Sequence, residues 1–188
     1  MATLVVFGGI LFVIVVGAAY VVGMYNRLIS LKNQVPQSFA NIDVLLKQRH
    51  DELPKLVEVV KGYAAHEKET LERVIQARNR YVTAGSIEEK LEANNMITAA
   101  LKQLFALSEN YPELKANENF LNLQRRISEI ENAIADRREM YNFTVTNFNT
   151  VIEQFPEVIL AGMMNLKKFP LFQAEESDRE DVEIKFTS

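Results

Sequence analysis

Both histidines of this chain fall in one stretch, RHDELPKLVEVVKGYAAHE, which covers residues 49–67 and places an acidic residue beside each of them. Imidazole and carboxylate groups are zinc ligands and general acid–base catalysts. A metal-binding pair on one helix needs a spacing of three or four residues, whereas His50 and His66 are sixteen residues apart. Thr70 stands where an H-E-x-x-H motif starting at His66 needs its second histidine. The spacing therefore predicts no metal site and no catalytic residue in this stretch.

The composition excludes further kinds of chemistry. The chain has no cysteine, which rules out disulfides, thiolate metal ligands and a cysteine nucleophile. It also has no glycine-rich phosphate loop and no G-x-S-x-G nucleophile motif. Its net charge of -4 argues against general nucleic-acid binding. We therefore predict a protein that is not an enzyme, has no cofactor and binds no nucleic acid.

The elements that carry these residues begin with an apolar segment. Residues 1–26 contain no charged side chain, and the run LVVFGGILFVIVVGAAYVVGM is long enough to cross a bilayer as a helix. A cleaved signal peptide is the alternative, because Gly17 and Ala19 resemble a small-residue cleavage site. The segment lacks a positive n-region and continues past that site, so we interpret it as a retained anchor. The predicted anchor residues are Leu4, Val5, Phe7, Ile10, Leu11, Phe12, Ile14, Tyr20 and Met24.

The distribution of Lys and Arg predicts the orientation of this anchor. No Lys or Arg precedes the apolar run, whereas Arg27 and Lys32 follow it closely. Positive charge is enriched on the cytoplasmic side of membrane spans. We therefore expect a single-pass protein of the cell membrane whose larger part lies in the cytoplasm.

The chain after the anchor has the apolar periodicity of long helices. Between Leu28 and Tyr81 apolar residues recur at alternating spacings of three and four, and the frame crosses Pro36 and Pro54 without a phase shift. This predicts one helix with bends. We predict an all-α fold with an N-terminal transmembrane helix and an antiparallel bundle of three main helices plus a short C-terminal helix. The predicted domains are an anchor (1–26), a bundle (27–172) and an acidic tail (173–188) with a docked end at Val182, Ile184 and Phe186.

Two long segments resemble the LemA family. They read YNRLISLKNQVPQSFANIDVLLKQRHDELPKLVEVVKGYAAHEKETLERVIQARNRY and NYPELKANENFLNLQRRISEIENAIADRREMYNFTVTNFNTVIEQFP, and they extend from Tyr25 to Pro156. The chain departs from the family pattern in GMMNLKKFPLF, where Met163 follows Gly162. The resemblance implies a bacterial or archaeal-type membrane-anchored helical bundle without established enzymatic activity. It also implies a link to membrane organisation, including magnetosome membrane formation.

We expect a membrane-anchored structural or interaction protein, namely a self-associating scaffold at the bacterial membrane that takes part in membrane organisation. Its expected partners are membrane lipid and further copies of the chain. The alternative is an adaptor or regulator that recruits an unidentified membrane protein or signalling enzyme. The membrane-proximal part of the first helix is predicted to lack neighbours within one chain, which makes it the candidate oligomer interface. Its residues are Leu28, Leu31, Val35, Phe39, Ile42 and Leu46.

Four charged residues interrupt the apolar frames: Arg49, Glu67, Arg78 and Arg137. They either form a polar cluster inside the bundle or lie where the frame faces solvent, and the second interpretation is favoured because charges are rarely buried. Three main helices after the anchor also predict that Lys167 and Lys168 lie far from the membrane. That segment is therefore expected to pack on the bundle or on a neighbouring subunit.

Overall fold

A computed structural model describes residues 1–172, and those residues form six α-helices and no strand. The predicted all-α fold is therefore confirmed. The helices are α1 (Ala2–Tyr63), α2 (Lys68–Thr83), α3 (Ile87–Ser108), α4 (Pro112–Lys115), α5 (Glu118–Val151) and α6 (Glu157–Met163). The predicted tail 173–188, with its docked end at Val182, Ile184 and Phe186, lies outside the described residues, and the predicted domain boundaries stay a prediction.

Helix α1 combines the apolar segment and the first part of the helical body in one element. It has 62 residues, which corresponds to about 93 Å at 1.5 Å per residue. It continues through Pro36 and Pro54, as the unbroken apolar frame predicted. Residues 2–23 of this helix are exposed, and Leu28 is the first residue that the rest of the protein buries.

The prediction of a single helix from Leu28 to Tyr81 was wrong, because the chain turns between α1 and α2. The Glu67 carbonyl accepts the first hydrogen bond of α2 from the Leu71 amide, at 3.2 Å. Ala64 is buried although it lies in the turn. The apolar spacing therefore continues through a segment in which the helix itself is interrupted. Residues 1–172 therefore contain four long helices rather than three.

The S-x-x-E pattern of Ser86 and Glu89 predicts a capping box at the start of α3, and the structure confirms it. The Ser86 hydroxyl accepts from the Glu89 amide at 3.1 Å, and the Glu89 carboxylate accepts from the Ser86 amide. The same carboxylate accepts from the Gly85 amide at 2.6 Å. These two amide contacts, first that of Gly85, lower the pKa of Glu89. The box satisfies amides that the first turn of α3 leaves without helical partners.

The chain divides into two compact units. The first, here called the large unit, consists of residues 41–138 with Phe172. In it α5 runs antiparallel to α1, since Asn117 bonds to Tyr63 and Arg126 bonds to Glu52. Its core is a continuous set of aliphatic and aromatic side chains. Its members include Leu53, Leu56, Val60, Leu71, Val74, Ile97, Leu101, Leu104, Leu114, Phe120, Ile127 and Ile134.

The second, here called the anchor unit, consists of residues 1–40 and 139–171. The rings of Phe39 and Tyr141 lie 5.7 Å apart, and Arg27 bonds to Glu157 at 2.9 Å. Residue numbers rise along α5 as they fall along α1, so the two helices are antiparallel in this unit as well. Helix α6 therefore starts beside the end of the apolar segment, and the prediction that this part of the chain lies far from it was wrong.

The stripe proposed as the oligomer interface lies in the interior of the chain. Helix α5 packs along α1 in both units, and this cover contradicts the premise that the stripe has no neighbours. Leu31 is half-buried. Self-association itself stays a prediction. The buried members of the stripe are Leu28, Val35, Phe39, Ile42 and Leu46.

Candidate functional site

Three charged residues of α1 hold the helices of the large unit together. Asp43, Arg49 and Glu52 lie within ten residues of one another on α1, and each contacts a different set of partners. Arg49 and Glu52 are buried, whereas Asp43 is half-buried. A buried charge is unfavourable unless other groups pair with it. The three positions therefore require matched partners on the neighbouring helices.

Arg49 joins α1 to both α3 and α5. Its Nη1 donates to the Thr98 hydroxyl at 3.0 Å and to the Glu131 carboxylate at 3.2 Å. Its Nη2 donates to the Asn94 carbonyl at 3.2 Å and also to the side-chain oxygen of Asn94. The planar guanidinium presents donors in several fixed directions, which is why Arg suits a buried junction of this kind. The interpretation of Arg49 as part of a polar cluster is correct, and the favoured solvent-facing interpretation is wrong for this residue.

Asp43 joins α1 to α2 and α3. It accepts from the Tyr81 hydroxyl at 2.9 Å and from the Lys90 ammonium at 2.8 Å. Burial, followed by the hydrogen bond to Asp43, holds the pKa of Tyr81 above its ordinary value. The ring of Tyr81 also lies 5.4 Å from the ring of His50. The side chains around Asp43 therefore fix the position of α2 against α1.

Glu52 joins α1 to α5. Its carboxylate contacts the Arg126 Nε atom at 2.8 Å and the Lys55 ammonium at 2.9 Å. Asp43 and Glu52 were not singled out from the sequence, because neither belongs to the Leu28–Tyr81 frame. The signal that could have identified Asp43 is its seven-residue interval to His50. This interval places the two residues on one face of α1, directly after Ile42 and Arg49 of the apolar frame. A helix with neighbours on more than one side buries such flanking positions too.

The two histidines are not brought together. His50 is buried on α1, and its Nδ1 lies 3.0 Å from Asp51, while its Nε2 has no hydrogen-bond partner among the described residues. His66 is exposed in the turn between α1 and α2. Residues 1–172 contain no group of three or more His, Asp or Glu side chains that would hold a metal ion. His50 therefore acts in packing against Tyr81 rather than as one of a pair of ligands.

The other charged residues of the apolar frames have different environments. Glu67 occupies the N-cap position of α2, and its carboxylate accepts from the Tyr111 hydroxyl at 2.8 Å, which raises the pKa of that tyrosine. Arg78 is half-buried, and Arg137 is exposed on α5. The solvent-facing interpretation is therefore correct for Arg137 and wrong for Glu67.

A cleft of about 240 Å³ opens beside Arg49 in the large unit. Lys102 and Arg138 line it, and the Arg138 guanidinium lies 5.7 Å from the centre of the Phe172 ring. None of the lining residues is a histidine, and the Thr98 hydroxyl already contacts Arg49. The cleft has cationic walls with one carboxylate, from Glu131, and this lining suits the binding of a polar group better than nucleophilic catalysis.

The apolar start of α1 is the other candidate site. It is long and apolar enough to cross a membrane, and none of its residues is fully buried by the rest of the protein. A soluble protein does not usually leave so large a contiguous apolar surface in water. All nine residues predicted for the anchor lie on this helix, and Met24 at its end is half-buried whereas the other eight are exposed.

Comparison with known proteins supports this picture. The model of the LemA family matches residues 38–186. Protein LemA of Metamycoplasma hominis is 31% identical over 178 residues, which cover 92% of this chain and 80% of that protein. Magnetosome protein MamQ 2 of Paramagnetospirillum magneticum is 23% identical, with coverage of 79% of this chain and 64% of that protein. Magnetosome protein MamQ of Magnetospirillum gryphiswaldense is 21% identical with the same coverage. The resemblance noted in the sequence is confirmed, and the chain belongs to the LemA family as a membrane-associated member.

Proposed function

We propose that this protein is a membrane-anchored scaffold that self-associates and takes part in membrane organisation. The observation that carries the proposal is the continuity of α1 from Ala2 to Tyr63. The same helix supplies the apolar segment and, from Leu28 onward, part of the protein core. The apolar segment continues without a linker into the buried part of α1 in the anchor unit, so the orientation of the anchor unit follows the orientation of the membrane span. A scaffold needs that coupling, whereas a tethered enzyme does not.

The polar contacts of α1 also favour a structural role. Asp43, Arg49 and Glu52 engage partners on three other helices, and buried polar groups specify helix register in some proteins. None of them faces a nucleophile or a second titratable group in an arrangement that suits catalysis. Their chemistry supports a rigid body without an active site.

Self-association is proposed to use the anchor. Ala19 and Gly23 lie four residues apart and therefore on one face of α1, and small residues at this spacing let helices approach closely in lipid. A Cβ atom added at Gly23 would meet nothing within 4 Å in the single chain, so this face is open to a second helix. Val21 lies on the opposite face of the same turn and is also exposed.

The test is the subunit number of the full chain in mild detergent and in lipid nanodiscs, measured by light scattering and by native mass spectrometry. We expect an oligomer that the double variant Ala19→Ile, Gly23→Ile weakens, because the added side chains keep the helices apart. Val21→Ile is the matched control and should leave the subunit number unchanged. A strictly monomeric wild-type chain in both media would refute self-association.

The alternative is an adaptor that recruits another membrane protein or a signalling enzyme, and the cleft beside Arg49 favours it. Lys102 and Arg138 would receive an acidic segment of such a partner. A monomer that is purified with one stoichiometric membrane protein would support this alternative.

We further propose that the helical body lies in the cytoplasm, on the basis of Arg27 and Lys32 after the span.

A further inference from the structure

Helix α6 and the turn before it expose an apolar stripe in the anchor unit. Ile159 and Met163 are four residues apart on α6 and share one helical face, and Phe155 lies in the turn just before the helix. Their exposed fractions are 80%, 59% and 80%. Side chains of this size are unfavourable in water when they are contiguous, and such patches usually mark a binding surface. The question is what covers them.

The position of α6 beside the end of the apolar segment indicates what covers this stripe. Glu157, in the first turn of α6, bonds to Arg27 of α1 at 2.9 Å. Arg27 lies three residues beyond Met24, which is about 4.5 Å along the helix axis. The headgroup layer of a bilayer is about 5–8 Å thick on each side. If the apolar segment spans the hydrocarbon, the first turn of α6 lies at the level of the headgroups.

The chain after α6 fixes this placement. The Asn149 side chain bonds to the amide and the carbonyl of Phe169, at 3.0 and 2.9 Å, and the Tyr141 hydroxyl donates to the Pro170 carbonyl at 2.8 Å. Phe169 also packs edge-on against Phe148, with ring centres 5.3 Å apart. The chain therefore returns along α5, and α6 forms the turning point at the end of the unit that contains Arg27.

Basic residues flank the same region. Lys167 is exposed, and Lys168 pairs with Glu153 at 2.6 Å while remaining accessible to solvent. Apolar residues inserted at the headgroup boundary together with flanking lysines are typical of interfacial membrane helices. Lysine at this level also attracts anionic lipid.

We propose that α6 is a second membrane contact, in which Phe155, Ile159 and Met163 insert into the surface of the bilayer that the anchor crosses. The partner is the lipid surface itself. The contact would fix the tilt and rotation of the helical body on the membrane, which a single span does not determine. This inference rests on the proposed membrane anchor and goes beyond the proposed self-association.

The absence of tryptophan from the chain gives a clean experiment. Single reporters are introduced by Ile159→Trp and, separately, Met163→Trp in the full chain, which is reconstituted as one chain per nanodisc. Lipids brominated in the acyl chain quench indole fluorescence on contact. We expect both reporters to lose most of their emission in brominated discs and to emit at shorter wavelength than in water.

Two controls make the outcome decisive. Phe143→Trp introduces a reporter at a site that is 70% exposed in the same unit but about 12 Å before the end of α5 along the helix. This reporter should not be quenched. Leu11→Trp places a reporter in the anchor, where quenching is expected whatever α6 does.

Each remaining result overturns the proposal. A quenched reporter at position 11 with unquenched reporters at 159 and 163 means that the anchor spans but α6 stays in water. An unquenched reporter at position 11 refutes the anchor and the α6 contact together. Reporters at 159 and 163 that shift to shorter wavelength only when several chains share a disc, without bromine quenching, assign the stripe to a second copy of the chain.

Discussion

Ile42 provides the sharpest test of where the membrane-proximal stripe lies. Its side chain is 0% exposed in the single chain, whereas Val44, two residues further along the same helix, is 59% exposed. Replacement of Ile42 by Ala removes three buried carbon atoms. At about 0.8 kcal/mol for each buried methylene, the lost transfer energy alone is roughly 2.4 kcal/mol. The cavity that remains adds to this, so we expect a total destabilisation of about 2–5 kcal/mol.

Val44→Ala is the matched control. Most of the Val44 surface is in water, and Ala forms helices better than Val, so the free energy of unfolding should change by less than about 0.5 kcal/mol. In a chain of this size each kcal/mol lowers the melting temperature by roughly 2–4 °C. Ile42→Ala should therefore melt about 4–20 °C below the wild type, whereas Val44→Ala should melt at nearly the same temperature as the wild type.

The assay is thermal unfolding of the full chain in mild detergent, followed by far-UV circular dichroism and repeated at several protein concentrations. If Ile42→Ala has the same melting temperature as the control while the subunit number falls, the side chain belongs to an interface between copies, and the reasoning from burial is refuted. A lowered melting temperature that does not depend on protein concentration would support a position in the core of one chain.

Two further predictions concern the polar contacts of α1. Asn94→Ala removes a side-chain acceptor from the buried Arg49 guanidinium and should lower the free energy of unfolding by about 1.5–3 kcal/mol, measured from urea midpoints. Asn79→Ala, on the exposed face of α2, is the control. Equal midpoints for the two variants would contradict the role of the Arg49 junction. The raised pKa of Tyr81 means that, above the ordinary tyrosine pKa of 10.0, the unfolded chain loses a proton that the folded chain keeps. Stability should therefore fall as pH rises through and beyond this value, and less so in Tyr81→Phe. Ultraviolet absorbance should show a late-ionising tyrosine that is lost in Tyr81→Phe, and six tyrosines that titrate together in the wild type would refute this.

The parts of the fold that sequence reasoning predicted correctly depend on local chemistry. The apolar composition of residues 4–24 predicts a helix long and apolar enough to cross a membrane, and the start of α1 is such a helix. Ser86 and Glu89 define a helix start through their own hydrogen bonds. Pro36 and Pro54 do not interrupt α1, in agreement with the unbroken apolar frame. In each case the signal and the structure lie within a few residues of each other.

The candidate sites depend on tertiary arrangement and were predicted less well. Arg49 was recognised as an exception in its frame, but its partners Asn94 and Glu131 belong to helices whose register no local pattern specifies. The burial of Glu52 and the partial burial of Asp43 follow from the number of helices around α1. The sequence shows that a helix is amphipathic, but it does not show how many neighbours cover it.

The turn between α1 and α2 shows how one local feature changes the inferred function. It has no proline, and its only nearby glycine is Gly62, so the usual signals of a helix end are weak. With three antiparallel helices after the anchor, the chain ends its last helix far from the membrane. With four, it ends beside the anchor, as the bond between Arg27 and Glu157 shows. The exposed side chains of Phe155 and Met163 are then brought to the headgroup layer, where an apolar stripe is stabilised by lipid rather than left in water.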